Sequence, residues 1–152
     1  MKKIFTVKLG FKKNQEYGKE LDKSLYSWDE KDRIFSTKEN DLELDFSGYD
    51  GVKFYTGSCC EFKTGSSCYF ETGDYCGFKT GSNCEFMTSD FCNFETGAYC
   101  EFDTGKECKF KTGSNCTFVT GDFCELKTGD FCTFDVGSSC IIESNKKVLV
   151  EK

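Results

Sequence analysis

Cysteine is the residue type with the most obvious chemical potential in this chain, and its spacing is regular. The 152 residues include 12 cysteines, and eleven of them recur every eight residues from Cys60 to Cys140. Structural zinc sites use closely paired ligands, and disulfides need Cβ atoms that point at each other. A strict spacing of eight favours neither, and bridges across a coil would require two columns of cysteines to meet. We therefore expect reduced, buried thiols, no metal site and no cofactor.

One cysteine departs from this pattern. Cys59 lies directly before Cys60, at a position that alternation along a strand would turn outward. It is the candidate for a reactive or intermolecular thiol. The rest of the chain offers no catalytic constellation. Histidine is absent, and we find no nucleophile–base pair and no phosphate-binding loop. The sequence therefore predicts a protein that is not an enzyme, with no catalytic residues.

A second signal is aromatic and lies in the position before the repeating cysteine. This position holds Tyr75, Phe91, Tyr99, Phe123 and Phe131. At a period of sixteen, Tyr75, Phe91 and Phe123 share one edge, and Tyr99 and Phe131 share the other. Aligned, exposed aromatic residues are typical of contact surfaces. The other interpretation is that they fold over the turn and pack on neighbouring coils. The five residues form the candidate interaction site.

The elements that position these residues follow from an eight-residue repeat, C-x-F-x-T-G-x-x. Phenylalanine follows each cysteine by two residues, threonine by four and glycine by five, with a few substitutions. Because side chains alternate along a strand, cysteine, phenylalanine and threonine share the inner face. We expect the glycine to supply the positive φ that ends each strand. The register extends beyond the cysteines, with these assignments: Leu44, Val52 and Val148 in cysteine positions, Phe46, Phe54 and Val150 in phenylalanine positions, and Asn145 in the glycine position.

Stacking of equivalent repeats is the only way for these strands to bury their phenylalanines. Two repeats per turn give a flattened coil of 16 residues, and three give a triangular coil of 24. The segments 82–92 and 114–124 are similar and lie 32 residues apart, a multiple of 16 but not of 24. The sequence therefore predicts an all-β fold, a parallel β-solenoid with 16 residues in each coil.

The repeat resembles two known groups of proteins. The sequence T-G-S-N-C-T-F at Thr112–Phe118 resembles the repeats of octapeptide-repeat proteins of bacteriophages, giant viruses and bacteria. That resemblance implies a solenoid and a viral or cellular assembly, but no specific activity. The repeat also resembles that of bacterial ice-nucleation proteins, A-G-Y-G-S-T-L-T, whose serine and leucine take the inward positions. The outward T-x-T pair of that family is replaced here by charged pairs: Glu61/Lys63, Glu101/Asp103 and Lys109/Lys111.

The first part of the chain does not follow the repeat. We expect residues 1–41 to form a small α+β cap of strand, helix and strand, and residues 42–152 to form the solenoid. The expected elements are an alternating strand at Phe5, Val7, Leu9 and Phe11, an amphipathic helix over 15–30 with Tyr17, Leu21, Leu25 and Trp28 on one face, and a strand near Arg33–Thr37. The cap hides an open sheet edge or attaches the solenoid to a larger body.

Charge and hydropathy exclude several classes. The net charge of −6 argues against a nucleic-acid-binding protein, and lysines among the acidic repeats argue against a DNA mimic. No stretch reaches the roughly 20 apolar residues of a membrane span. Lys8, Lys12 and Lys13 interrupt any signal peptide, so we expect synthesis in the cytoplasm and, in the viral case, a place in the virion.

The leading hypothesis from the sequence is a structural solenoid, a rigid spacer, fibre or surface component of a viral or cellular assembly. The alternative is a protein-binding or inhibitor module that presents a flat ladder of side chains. An ice-binding solenoid is third. Each hypothesis expects a protein partner or self-association as an oligomer or larger assembly.

Overall fold

The repeat region is a β-solenoid, as the sequence predicts. The computed structural model describes residues 3–10 and 16–144, and the backbone of 149–150. Nearly all of this is strand and turn, stacked in about seven coils of about 16 residues. Two strands form each coil, because consecutive strands of the repeats alternate between two sheets. Both the solenoid and its period of 16 are therefore confirmed.

The described residues contain seventeen strands, and a 3-10 turn lies at Lys23–Leu25. In chain order the strands are β1 (Thr6–Leu9), β2 (Tyr26–Asp29), β3 (Ile34–Thr37), β4 (Leu42–Phe46), β5 (Lys53–Tyr55), β6 (Glu61–Thr64), β7 (Tyr69–Glu71), β8 (Gly77–Lys79), β9 (Glu85–Met87), β10 (Asn93–Glu95), β11 (Glu101–Asp103), β12 (Lys109–Lys111), β13 (Thr117–Thr120), β14 (Glu125–Thr128), β15 (Thr133–Val136), β16 (Ile141–Ser144) and β17 (Leu149–Val150).

The strands form two sheets that face each other across the coil. Sheet A has the order β1-β4-β6-β8-β10-β12-β14-β16, and sheet B has the order β17-β15-β13-β11-β9-β7-β5-β3-β2. Neighbouring strands are parallel except at one end, where β1 pairs antiparallel with β4, and β2 with β3. Within the repeats each strand pairs with the strand 16 residues away, so phenylalanine lies beside phenylalanine.

The phenylalanines fill the space between the sheets. Phe94 of sheet A stacks on Phe78 with ring centroids 4.9 Å apart and planes 5° apart. Its ring meets Phe102 of sheet B edge-on, at 5.2 Å and 80°. Stacked and edge-to-face contacts are the two favourable geometries for aromatic pairs, and this core uses one along each sheet and the other between sheets. The result is one continuous apolar core along the solenoid.

The amphipathic helix expected over 15–30 is wrong. Asp22 begins a single 3-10 turn by accepting a hydrogen bond from the Ser24 N–H, and β2 follows directly. Leu25 and Tyr17, expected on one apolar face, are largely exposed. Tyr26 and Trp28 instead face inward from a strand, two residues apart. The other two elements of the cap are confirmed, β1 for residues 6–9 and β3 for residues 34–37, whereas Phe11 lies outside the described residues.

The cap covers the first coil with aromatic side chains. Phe5 stacks on Phe46 at 4.4 Å, and Trp28 contacts the rings of Phe46 and Tyr49. Because β1 and β2 run antiparallel to their neighbours, they end the parallel ladders at this side of the solenoid. The division at residues 41 and 42 stays a prediction, and β4 begins at Leu42.

The predicted register is wrong by two residues in the first coil. Leu44 pairs with Phe62 and Phe46 with Thr64, so Leu44 takes a phenylalanine position and Phe46 a threonine position. The physical reason is a longer turn after β4, which gives this coil 18 residues. Phe54 pairs with Phe70 as expected. At the other end Val150 pairs with Phe134 as expected, whereas Asn145 and Val148 lie outside the described residues.

Candidate functional site

The turns place one residue of every repeat in the left-handed region, and that residue is not the glycine. The residue before each repeating cysteine has φ between 56° and 61°. It is, in order, Cys59, Ser67, Tyr75, Asn83, Phe91, Tyr99, Glu107, Asn115, Phe123, Phe131 and Ser139. The positive-φ glycines among the described residues are Gly18 and Gly51, both outside the repeat's glycine column. The expectation that the repeat glycine supplies the positive φ is therefore wrong.

The repeat glycine is needed for close approach between coils. A Cβ atom on Gly113 would lie 2.8 Å from the Ala98 nitrogen and 3.0 Å from its Cα. The Gly113 N–H donates to the Gly97 carbonyl of the preceding coil at 3.1 Å, so the backbones meet at the strand spacing. Ser89 occupies the same column, which shows that one side chain is accommodated there. The turns can stack closely because most of the column is glycine.

The residue after the glycine builds a second ladder, which the sequence reasoning missed. The Ser66 hydroxyl accepts from the Ser82 N–H at 3.1 Å, and the Asp74 carboxylate accepts from the Asp90 N–H at 3.0 Å. These oxygens satisfy turn N–H groups of the next coil, which strand pairing does not reach. The recurrence of serine and aspartate at this position was the available signal, since both accept hydrogen bonds at turns.

The structure places the candidate aromatic residues along the two edges of the solenoid. Edge 1 comprises the turns before the strands of sheet A, and Cys59, Tyr75, Phe91, Glu107, Phe123 and Ser139 hold its left-handed positions. Edge 2 comprises the turns before the strands of sheet B, and Ser67, Asn83, Tyr99, Asn115 and Phe131 hold its left-handed positions. The grouping predicted from a period of sixteen is what the coil produces.

These side chains lie largely in solvent. The exposed fractions are 55% for Tyr75, 59% for Phe123, 61% for Tyr99 and 74% for Phe131, and Phe91 is half-buried. On edge 1, Tyr75 and Phe91 stack with centroids 4.8 Å apart and planes 4° apart. Phe123 follows two coils further along, beyond Glu107, so edge 1 carries the longer aromatic stripe.

These aromatic residues occupy a backbone conformation that is unfavourable for them. The left-handed region is unfavourable for bulky residues, by about 1 kcal/mol or more, and asparagine tolerates it several-fold better. Asn83 and Asn115 occupy this position on edge 2, so this chain uses the better-suited residue elsewhere. Tyr75, Phe123 and Phe131 thus combine an unfavourable backbone with an exposed ring. Neither local conformation nor core packing accounts for their choice.

The repeating cysteines are unbridged, and all except the half-buried Cys140 are buried, with thiols that link coils. The Cys108 sulfur accepts from the Cys92 N–H at 3.4 Å and donates to the Ser89 carbonyl at 3.6 Å. The Ser89 carbonyl also accepts from the Gly105 N–H at 3.3 Å, so the thiol adds a second contact there, and it supplies the acceptor for the Cys92 N–H. The hydrogen bond with Cys60, together with burial, raises the pKa of Cys76 to about 12. With a pKa this high, the Cys76 thiol is protonated at neutral pH.

Cys59 differs from the other cysteines in its environment. It is half-buried, with φ of 60°, and lies on edge 1 one coil before Tyr75. Its candidacy as a reactive thiol stays a prediction. Within the described part of the chain, no group of three or more potential ligands could hold a metal ion.

The outer faces of the two sheets differ in charge, and sheet A has a trough. The trough has a volume of about 1150 Å³ and runs along the sheet between its two outward columns of side chains. Its lining includes core positions such as Phe78 and Phe94, together with outward residues of the same strands such as Lys79 and Asn93. The sequence reasoning did not separate the two faces, because which repeat belongs to which sheet follows only from the coil.

No family model matches the chain, and neither the curated proteins nor the solved structures include a significant match. Among the described residues, no helix has the length and apolar character to cross a membrane.

Proposed function

We propose that the protein is a non-enzymatic structural solenoid, a rigid building block whose edge 1 contacts a second copy within a larger assembly. The observation that carries this proposal is the set of exposed aromatic rings on edge 1, held at left-handed backbone positions. Exposed aromatic stripes are typical of protein contacts, and aromatic residues are enriched at interface centres.

The geometry of edge 1 suits such a contact. The stacked Tyr75 and Phe91 rings form a flat apolar patch, and Phe123 adds a second patch two coils away. The backbone beneath is fixed by hydrogen bonds between coils, as from the Phe91 N–H to the Lys106 carbonyl at 3.0 Å. A rigid, pre-organised surface loses little conformational entropy when it binds.

Two other functions receive less support. An inhibitor module that captures a different protein would use the same edge, and sedimentation as a monomer with capture of a soluble partner would favour it. Ice binding would require a regular array of threonines on an outer face. The outward column of sheet B that contains Thr117 and Thr133 also contains Glu85 and Glu101. A place in a viral particle rests on the resemblance of the repeat alone.

The test uses asparagine, because asparagine suits the left-handed position and removes the ring without straining the turn. The edge-1 variant is Tyr75→Asn/Phe91→Asn/Phe123→Asn, and the matched control on edge 2 is Tyr99→Asn/Phe131→Asn. Sedimentation velocity over a concentration series at high salt should show self-association for the wild type and the control. The edge-1 variant should sediment as a monomer.

Two results would overturn the proposal. One is a wild-type protein that stays monomeric at the highest concentration reached. The other is an edge-1 variant that associates as strongly as the wild type, which would place the contact elsewhere on the solenoid.

A further inference from the structure

The charged residues of the repeats are unevenly divided between the two outer faces. Between residues 56 and 143 the outer face of sheet A carries five lysines and four acids, a net charge of +1, and that of sheet B carries five acids and no lysine, a net charge of −5. On sheet A these are Lys63, Lys79, Lys109, Lys111, Lys127, Glu61, Glu95, Glu125 and Glu143, and on sheet B they are Glu71, Glu85, Glu101, Asp103 and Asp135.

Like charges lie side by side on both faces. Lys111 pairs in register with Lys127 on sheet A, and Glu85 pairs with Glu101 on sheet B. Adjacent strands are about 4.8 Å apart, so these pairs repel each other and weaken the sheet slightly. Across the described residues, the ion pair within 4.0 Å joins Lys109 and Glu125 at 3.6 Å, on sheet A. Between residues 56 and 143 the acids of sheet B have no lysine on their own face, and the cation nearest to Glu71 on that face is Lys53 of the neighbouring strand β5.

The two faces also have complementary relief. Sheet A has the trough, whereas one outward column of sheet B alternates apolar and acidic side chains. That column contains Tyr55, Glu71, Met87, Asp103, Val119 and Asp135. Tyr55, Met87 and Val119 are exposed, although they are large apolar residues. One side of the trough is a column of four lysines and two glutamates, Lys63, Lys79, Glu95, Lys111, Lys127 and Glu143, and the ridge fits beside it.

We propose that sheet A of one copy stacks on sheet B of a second copy, with the acidic ridge in the lysine-lined trough. The spacing of the charges supports this occupant. Glu71 and Asp103 are two coils apart on sheet B, and Lys79 and Lys111 are two coils apart on sheet A. With the two solenoids parallel and in register, Glu71 faces Lys79 and Asp103 faces Lys111, which are attractive pairs, whereas Asp135 faces Glu143, which is a repulsive pair. Both attractive pairs form at once because every copy has the same coil height.

The contact joins two different faces, so it does not close on itself. Each copy in the stack still presents one free sheet A and one free sheet B, and a heterologous contact of this kind repeats indefinitely. The proposal does not depend on edge 1, because the residues involved are different. Edge 1 would join copies side by side, whereas the faces would stack them.

The experiment is a charge swap between the faces, made in the edge-1 variant so that stacking is measured alone. The first protein adds Lys79→Glu/Lys111→Glu, and the second adds Glu71→Lys/Asp103→Lys. In each protein the two designed pairs carry like charges, so each should sediment as a monomer at about 20 mM salt, where surface charges are poorly screened. An equimolar mixture should restore association, because opposite charges then meet at both swapped pairs in every contact between the two proteins. The parent edge-1 variant should associate under the same conditions and dissociate at about 500 mM salt.

The matched control is Lys23→Glu/Lys31→Glu, two exposed cap lysines whose reversal changes net charge by the same −4 as the first protein. It should associate as the parent does, whereas each face variant should bind about tenfold more weakly or worse. A mixture that stays monomeric would overturn the proposal, as would a parent that is monomeric at low salt. Circular dichroism of each protein tests whether the solenoid is folded. The edge-1 test is run at high salt, where the contact between faces is screened, so its result does not depend on this one.

Discussion

Single residues stabilise this solenoid by contacting the equivalent residues of the adjacent coils, 16 positions away in the sequence. Phe94 has ring contacts with Phe78 and Phe110 in its own column and with Phe86 and Phe102 across the core. Because each such residue contacts the coils before and after its own, a substitution at one position alters the packing of three coils. The column is not restricted to phenylalanine, since Leu126 pairs with Phe110 in the same register.

Removal of one ring from the middle of the column should be strongly destabilising. Phe94 is 3% exposed, so Phe94→Ala should lower the free energy of unfolding by about 3–5 kcal/mol, through lost burial and a cavity. Phe94→Leu is the matched control and should lose less than about 1.5 kcal/mol, because leucine already occupies this column. Urea unfolding measures both values. Equal losses for the two variants would contradict the role assigned to the ring column.

The thiols predict how stability depends on pH. The pKa of Cys76 is raised to about 12 in the fold, mainly through its hydrogen bond with Cys60, whereas an unfolded thiol ionises near pH 8.5. Above that pH the Cys76 side chain binds fewer protons in the unfolded state than in the folded state, so the contribution of Cys76 to the free energy of unfolding falls as pH rises towards 12. Cys76→Val, which introduces the residue that Val52 already supplies in the same type of position, should remove part of that slope in urea titrations at pH 8 and 10.

Alkylation measures how accessible the thiols are to solvent. In the folded protein, the half-buried Cys59 and Cys140 should react with iodoacetamide first, and the other ten cysteines only after unfolding. Mass spectrometry counts the added groups. Rapid modification of more than two cysteines at neutral pH would show that the thiol columns are not closed to solvent.

At the scale of the strand and turn, the spacing between coils depends on the glycine column. Gly113→Ala would place a Cβ atom 2.8 Å from the Ala98 nitrogen, and backbone cannot move aside as a flexible side chain can. We expect this variant to lose about 1–3 kcal/mol of unfolding free energy.

Gly48→Ala provides the matched control for the glycine column, because nothing lies within 4 Å of its added Cβ. It should be within about 0.5 kcal/mol of the wild type, or slightly more stable, since alanine restricts the unfolded chain. Thermal unfolding of both variants measures the difference. Equal stability of the two variants would contradict the close-approach explanation.

Elements that repeat were predictable from the sequence, and elements that occur once were not. The eight-residue period fixes which side chains face inward, and the similarity at 32 residues gave the correct coil. The helix expected around Leu21 and Leu25 failed, because a few apolar residues can match helical spacing by chance when no repeat confirms it. The register of β4 failed because two additional residues in one turn shift a strand without changing its pattern.

The candidate site was only partly predictable for a related reason. Sequence alone grouped Tyr75, Phe91 and Phe123 on one edge, because that grouping depends only on the period. Sequence alone assigned the positive φ to the repeat glycine. The residue before each cysteine has this conformation instead, and its identity varies too much between repeats to indicate a shared backbone geometry. The different charges of sheets A and B likewise become visible only when alternate repeats are assigned to separate sheets.

At the scale of the whole molecule, the protein is a rigid block with two kinds of proposed contact surface. Edge 1 is apolar and aromatic, so its contact should persist in high salt. The outer faces are charged, so their contact should weaken as salt screens them. Together they would extend an assembly in two directions. Because the two contacts respond differently to salt, sedimentation at low and at high salt tests the two proposals separately.

The sharpest test of the proposed function is electron cryo-microscopy of the assembled wild-type protein. We expect a neighbouring solenoid to cover edge 1, with Tyr75, Phe91 and Phe123 buried at the contact. Assemblies in which edge 1 faces solvent at every contact would contradict the proposed function.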